Sequence, residues 1–195
     1  MASDKEIEEL LNLSLIVVVD EAYFEFSGKS CQGLLSKYDN LIILRSFSKT
    51  FGLAGLRVGY MLTSLEVANY FKKIEESLEI FSIATPSLAG SIAALGDMGA
   101  IMCNIKQINL TREKLTKELE KLNLKVNQSY TSFVLFNLED VGVKSRDFIQ
   151  KMGGEGIILK DISIYDGLCD YDVYIAVPQK QDLKRVITAI TKSIK

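Results

Sequence analysis

Apolar residues recur along this chain at two spacings, and the spacings divide it into short strands and amphipathic helices. Over residues 4–13, Ile7, Leu10 and Leu11 share one helical face. Ser3, with Glu6 three positions on, makes the sequence of a capping box. Residues 15–19 are a run of branched apolar side chains without alternation, which predicts a buried parallel strand closed by Asp20 and Glu21. Ser27-Gly28-Lys29-Ser30 reads as a turn, and Leu34 and Leu35 as a brief helical turn. Residues 41–44 and 57–62 predict two further strands. Residues 66–78 predict a helix whose apolar face carries Val67, Tyr70, Phe71, Ile74 and Leu78. Pro86 opens the next helix, with Leu88, Ile92 and Leu95 on one side.

The pattern then changes. Residues 97–108 are apolar enough to continue that helix, although Gly96 and Gly99 count against it. Residues 111–122 predict a strong amphipathic helix with Leu115, Leu119 and Leu122 inward. Strands are expected over 133–136, 156–159 and 173–177. Helices are expected over 144–152, stopped by Gly153 and Gly154, and over 181–194, with Leu183, Val186, Ile187 and Ile190 at core spacing. Strands alternating with connections in the first part argue an α/β layer, and the last part argues a small α+β domain. The expected division is 1–96, 97–122 as a connecting helical region, and 123–195.

Composition narrows the chemistry. The chain has 195 residues, 48% of them hydrophobic and 25% charged, with a formal net charge of -2. That balance favours neither nucleic acid nor an anionic membrane as partner. Histidine is absent, which excludes a Ser-His-Asp triad, a Cys-His pair and an imidazole zinc site. Proton transfer then falls to Lys, Tyr, Asp, Glu or Cys. Cys31, Cys103 and Cys169 are odd in number and far apart, so no metal is expected, and three reduced thiols in a cytoplasmic protein are. No apolar run reaches the roughly 18 residues that a membrane span needs.

One stretch carries candidate chemistry. Lys49 follows a predicted strand, among Ser46, Ser48, Gly52 and Gly55, with Arg57 close behind. A lysine amine needs partial burial or a cationic neighbour to become a nucleophile. Ser46, Ser48 and the planar fork of Arg57 suit a phosphate. Asp20, at a strand end, could pair with a protonated ring nitrogen, and Tyr23 could donate to a phenolate oxygen. Taken singly, each has an ordinary reading: a solvated lysine, a helix-capping aspartate, a surface ion pair. The glycines Gly52, Gly55 and Gly59 precede a strand instead of following one, unlike a dinucleotide fingerprint. Ser46-x-x-Lys49 lacks the companion motifs of penicillin-binding proteins.

Together, these segments resemble a known family. Asp20-Glu21-Ala22-Tyr23, then Ser48-Lys49, then Leu53-Ala54-Gly55-Leu56-Arg57-Val58-Gly59-Tyr60 look like the fold type I pyridoxal phosphate aminotransferases, and among them the histidinol-phosphate aminotransferase family of histidine biosynthesis. The resemblance implies pyridoxal 5'-phosphate as cofactor. Lys49 would form the Schiff base and shuttle the proton, Asp20 would hold the pyridine nitrogen, and Tyr23 would meet the ring oxygen. Ser46, Ser48 and Arg57 would hold the phosphate. It further implies a small-molecule amino donor and keto acceptor, and a homodimer.

Two departures shape the expectation. The resemblance runs over almost the whole chain, including Gly156-Ile157-Ile158-Leu159, but it starts in the family just upstream of the Asp20 strand, so the expected fold is the C-terminal portion of a transferase of this type: a partial large-domain sheet, then a small α+β domain, without the N-terminal half. The family's substrate-binding arginines also look replaced. Lys160 stands after the 156–159 segment, and Tyr174 stands where the late arginine grips a carboxylate. A family asparagine near Ser132 is replaced as well. A related phosphate-containing amino-acid decarboxylase and a noncatalytic remnant stay open beside the aminotransferase reading.

Overall fold

A computed structural model of the chain describes residues 2–78 and 83–195. It forms two compact units, Met1–Met102 and Cys103–Lys195.

The first unit opens with α1 (Asp4–Leu11). The Ser3 hydroxyl accepts from the Glu6 N–H at 3.3 Å, and the Glu6 carboxylate accepts from the Ser3 N–H at 2.7 Å. Two of the orphan donors at the helix start are thereby satisfied. Three strands follow: β1 (Val17–Asp20), β2 (Leu41–Ser46) and β3 (Gly59–Thr63). β1 pairs with β2 in parallel, Val17 opposite Leu41, and β2 pairs with β3 antiparallel, Ser46 opposite Gly59. Between β1 and β2 lie the short helix α2 (Phe24–Ser27) and a 3-10 turn, Gln32–Ser36. A small core of Ile7, Leu11, Cys31, Leu34, Leu41 and Ile43 joins α1, the 3-10 turn and β2.

Two expectations for this unit change. β1 was expected to be buried on both faces, but it has one strand neighbour among the described residues, and Val18 is 54% exposed. The helices α3 (Leu65–Ser77) and α4 (Thr85–Gly96) form where the apolar periodicity put them. Their apolar stripes are exposed, however: Tyr70, Phe71, Ile74 and Leu78 on the first, and Leu88, Ile92 and Leu95 on the second. In α4 the buried positions are Ser87 and Ser91. Periodicity identifies an apolar face but does not identify what covers it.

The helix α5 (Met98–Lys121) contains the division between the units. The second unit is an antiparallel sheet, ordered β4 (Lys125–Val126), β5 (Phe133–Asn137), β6 (Asp172–Ala176), with α6 (Ser145–Gly154) and α7 (Leu183–Ser193). Val134 and Phe136 of β5 and Val173 and Ile175 of β6 point to one face. Leu115 and Leu119, Phe148 and Met152, and Val186 and Ile190 close over it. Each such side chain contributes about 1.5–3 kcal/mol on burial. The Phe148 ring meets the Phe136 ring edge-on at 6.0 Å.

The strand expected over 156–159 does not form. Gly156 takes a left-handed φ of +74°, and the Ile157 N–H returns to the Met152 carbonyl at 2.9 Å, which ends α6. Ile157 and Leu159 then pack on the core while Ile158 is 94% exposed. The alternation is that of a strand, but β5 and β6 pair with each other and leave this segment without a ladder. The two-residue β4 carried no sequence signal. Among the described residues no single helix is long and apolar enough to cross a membrane.

Candidate functional site

The carboxyl ends of β1 and β2 lie side by side because the strands are parallel and in register, with Asp20 opposite Leu44. In open α/β sheets this edge is where ligands bind. Asp20 ends β1 with its side chain exposed, and one carboxylate oxygen accepts from the Ala22 N–H at 2.8 Å. The Glu21 N–H continues the ladder to the Leu44 carbonyl at 2.8 Å, and the Phe24 N–H closes a turn onto the Glu21 carbonyl at 2.8 Å. That turn presents Tyr23, half-buried, immediately before α2.

At the end of β2, the Ser46 hydroxyl accepts from the Ser48 N–H at 3.1 Å. The loop that follows is held at its base. The Phe47 N–H donates to the Val58 carbonyl at 3.1 Å, and the Leu53 N–H to the Phe47 carbonyl at 3.1 Å. The Gly52 N–H donates to the Lys49 carbonyl at 3.1 Å, with Gly52 at a left-handed φ of +68°. Phe47 is buried, its ring 4.7 Å from Phe51 and 5.7 Å from Tyr60. Gly59 faces the Arg45 carbonyl so closely that a Cβ would lie 2.8 Å from the oxygen, so only glycine allows β3 to pair here.

The loop carries Lys49 outward. Its side chain is exposed, and its Nζ lies 5.5 Å from the centre of the Tyr23 ring, within cation–π range. The structure therefore brings Lys49 to Tyr23, beside the end of the strand that bears Asp20. It joins Ser46 to Ser48. It holds Arg57 in a left-handed conformation, φ +53°, exposed, with its guanidinium donating to the Ala54 carbonyl at 3.3 Å. The Phe47–Val58 bond runs the Ser46–Ser48 segment alongside Arg57 at the backbone. An amine, a carboxylate, a phenol, two hydroxyls and a guanidinium at one strand edge form the donor set that a phosphorylated pyridine aldehyde requires, and the residues fit pyridoxal phosphate chemically.

Sequence reasoning missed the charged groups behind this edge. Glu21 and Arg45 are buried and bonded at 3.0 Å. Burial alone would lower the Arg45 guanidinium, but bonds to Tyr60 and Glu21 outweigh it and hold it above its ordinary value. Burial, with the Glu21 charge beside it, pushes the Cys31 thiol up to about 12. Glu25 also accepts from the Thr50 hydroxyl at 2.8 Å, tying α2 to the loop. The available signal was a charged residue directly flanking each apolar strand, at Glu21 and Arg45.

In the second unit, Lys160 is exposed, and its Nζ donates to the Tyr165 hydroxyl at 2.5 Å. That hydroxyl, with Tyr174 adding to it, holds the ammonium above its ordinary pKa. Tyr174 sits in β6 opposite Leu135, its ring 4.7 Å from Phe133.

Aminotransferase class I and II matches residues 1–190, and the chain belongs to that family. Histidinol-phosphate aminotransferase 2 of Archaeoglobus fulgidus is 36% identical over 185 residues, 94% of this chain and 52% of that one. The crystal structure of the histidinol-phosphate aminotransferase from Clostridium acetobutylicum matches with a TM-score of 0.86 at 24% identity, over 100% of this chain and 60% of that one. The enzyme from Sinorhizobium meliloti, solved in complex with pyridoxal-5'-phosphate, matches with a TM-score of 0.75 at 23% identity, over 96% of this chain and 52% of that one. The two structures establish the fold alone. The chain spans about half the length of the curated relatives it matches.

These findings correct the expected C-terminal portion with a partial sheet and no N-terminal half. The family match takes in residues 1–190, and the two fold matches cover 96–100% of the chain, both units included. The likeness belongs to the chain from nearly end to end.

Proposed function

We propose that this chain binds pyridoxal phosphate through Lys49 and transfers an amino group from a small-molecule donor, histidinol phosphate, to a keto acceptor. The observation that carries the reading is the exposed Lys49 amine, 5.5 Å from the Tyr23 ring at the carboxyl edge of the β1–β2 pair. The cofactor supplies an aldehyde that condenses with amines and a protonated ring that draws electrons from the substrate carbon. Lys49 Nζ would be the attachment point, and its free amine would be the base that takes and returns the substrate proton. The chain has no histidine to share that work. The Asp20 oxygen not engaged by Ala22 would hold the proton on the ring nitrogen, and the Tyr23 hydroxyl would donate to the ring oxygen. Ser46, Ser48 and Arg57 would hold the phosphate, the Arg57 guanidinium exchanging its bond to the Ala54 carbonyl for the phosphate oxygens.

A homodimer is proposed as well, supported by the exposed apolar faces of α3 and α4. Light scattering at two concentrations checks it. The functional test supplies the chain with pyridoxal phosphate, histidinol phosphate and a 2-keto acid, and follows amino acid formation. Transfer by the wild type, lost in Lys49→Ala, is the expected result. In a separate incubation with a phosphorylated amino acid that keeps its carboxylate, carbon dioxide release without transfer from histidinol phosphate would make it a decarboxylase. No turnover, or equal turnover in both proteins, contradicts the reading.

A further inference from the structure

Charged side chains are rarely buried unless paired. Glu21 is 8% exposed and Arg45 9%, and the chemistry above uses neither. One Glu21 carboxylate oxygen accepts from Arg45 Nε at 3.1 Å, from Arg45 Nη2 at 3.0 Å and from the Ser30 hydroxyl at 2.8 Å. The other accepts from the Cys31 N–H at 2.8 Å. Arg45 Nη2 also donates to the Ser30 hydroxyl at 2.8 Å and to Oε1 of the Gln32 side-chain amide at 3.0 Å. The guanidinium lies 3.8 Å from the centre of the Phe24 ring.

Their places in the chain matter more than their energy. Glu21 stands between Asp20 and Tyr23, and Arg45 directly precedes Ser46, at the foot of the lysine loop. Both backbones are fixed too, Glu21 through its N–H to Leu44 and Arg45 through its close approach to Gly59. The Lys49 side chain, by contrast, is exposed, its Nζ 5.5 Å from the centre of the Tyr23 ring. The spacing between the two residue-bearing strand ends is therefore set behind the edge. A buried pair of this kind gives geometry more than stability, since replacing both partners together by uncharged groups of similar volume is often neutral.

We infer that Glu21 and Arg45 form a positioning pair that holds the Asp20–Tyr23 and Ser46–Lys49 segments at the spacing pyridoxal phosphate requires. The inference rests on the cofactor reading above. It adds a requirement that reading does not contain: the pair must act on cofactor affinity and loop order without touching the cofactor.

The test compares the wild type with the Glu21→Gln/Arg45→Met double variant and with Arg45→Lys. Arg45→Lys keeps the charge but loses the planar fork and its stacking on Phe24. Three quantities are measured: the thermal midpoint, the dissociation constant for pyridoxal phosphate from its visible absorbance change, and amide exchange in the cofactor-free chain at Phe47, Gly52 and Leu53. The double variant should keep a cooperative transition near the wild-type midpoint, bind the cofactor about 10-fold or more weakly, and exchange those three amides faster. Arg45→Lys should fall between the two. A lower midpoint with unchanged affinity and exchange in the folded protein would make the pair merely structural and overturn the inference. If the wild type itself shows no absorbance change, the cofactor reading fails, and exchange alone decides the pair: faster at the three amides upholds it, unchanged overturns it. Should the double variant not fold, Arg45→Lys carries the same comparison.

Discussion

Around Phe136 the second unit closes a core from β5, β6, α5, α6 and α7, and Phe136, Phe148, Leu115, Leu119 and Ile190 have no exposed surface. The first unit gathers Ile7, Leu11, Cys31, Leu34, Leu41 and Ile43 in a smaller core, and leaves the stripes of α3 and α4 open. Yet the first unit carries every residue assigned to the cofactor. The difference shows where rigidity comes from in each. In the second unit it comes from apolar burial. At the lysine edge it comes from a buried ion pair and a hydrogen-bonded loop.

The comparison can be broken at its strongest point. Phe136→Ala in the second unit should cost about 3–5 kcal/mol in denaturant unfolding, through lost burial and the cavity left beside Phe148. Native-state amide exchange should place the slowest amides in β5, β6 and α7, with β1, α3 and α4 faster. Equal protection in the two units would contradict the contrast.

In the first unit, Arg45→Met alone leaves Glu21 buried without its cation and should cost about 3–5 kcal/mol. The double variant with Glu21→Gln should recover most of that loss. A single variant as stable as the double would show that Glu21 needs no partner.

Cys31 gives a smaller, pH-dependent effect. Its folded pKa of about 12 lies above the ordinary value of 9.0. A raised value means that the thiol's contribution is fully present below the unfolded pKa and is lost as pH rises through the folded one. Between pH 9 and 12 the wild type should therefore lose more stability than Cys31→Ala. In the native protein at neutral pH, maleimide should label the exposed Cys103 and Cys169 and spare Cys31.

The smallest effect is expected at the chain's start. Ser3→Ala removes the α1 cap and should cost about 1 kcal/mol. The Ser3 N–H and hydroxyl hold the Glu6 carboxyl below its ordinary value, so the cap's contribution fades as pH falls through that depressed value. A Ser3→Ala deficit that is the same at acid and neutral pH would sink this account of the cap.

Much of this architecture was legible in the residues. Ser3-x-x-Glu6 announced the α1 cap, Leu115 and Leu119 the buried stripe of α5, and the apolar run before Asn137 the strand β5. Asp20, Tyr23 and Lys49 drew attention as a group, and the fold sets Lys49 against Tyr23. Three things were not legible, each because a pattern describes one segment and not its partner. The in–out–in pattern of Ile157, Ile158 and Leu159 looks the same with or without a ladder. The stripes of α3 and α4 do not say what covers them. Glu21 and Arg45, far apart in sequence, pair only because β1 and β2 run parallel in that register.

The central claim is that Lys49 is the attachment point for pyridoxal phosphate, and covalent trapping tests it most directly. The purified chain is mixed with the cofactor, reduced with borohydride, digested, and its peptides weighed. One phosphopyridoxyl group on the peptide containing Lys49, absent when Lys49→Ala is treated alike, is the predicted result. Label spread over exposed lysines such as Lys37 and Lys72, with none enriched at Lys49, would contradict it.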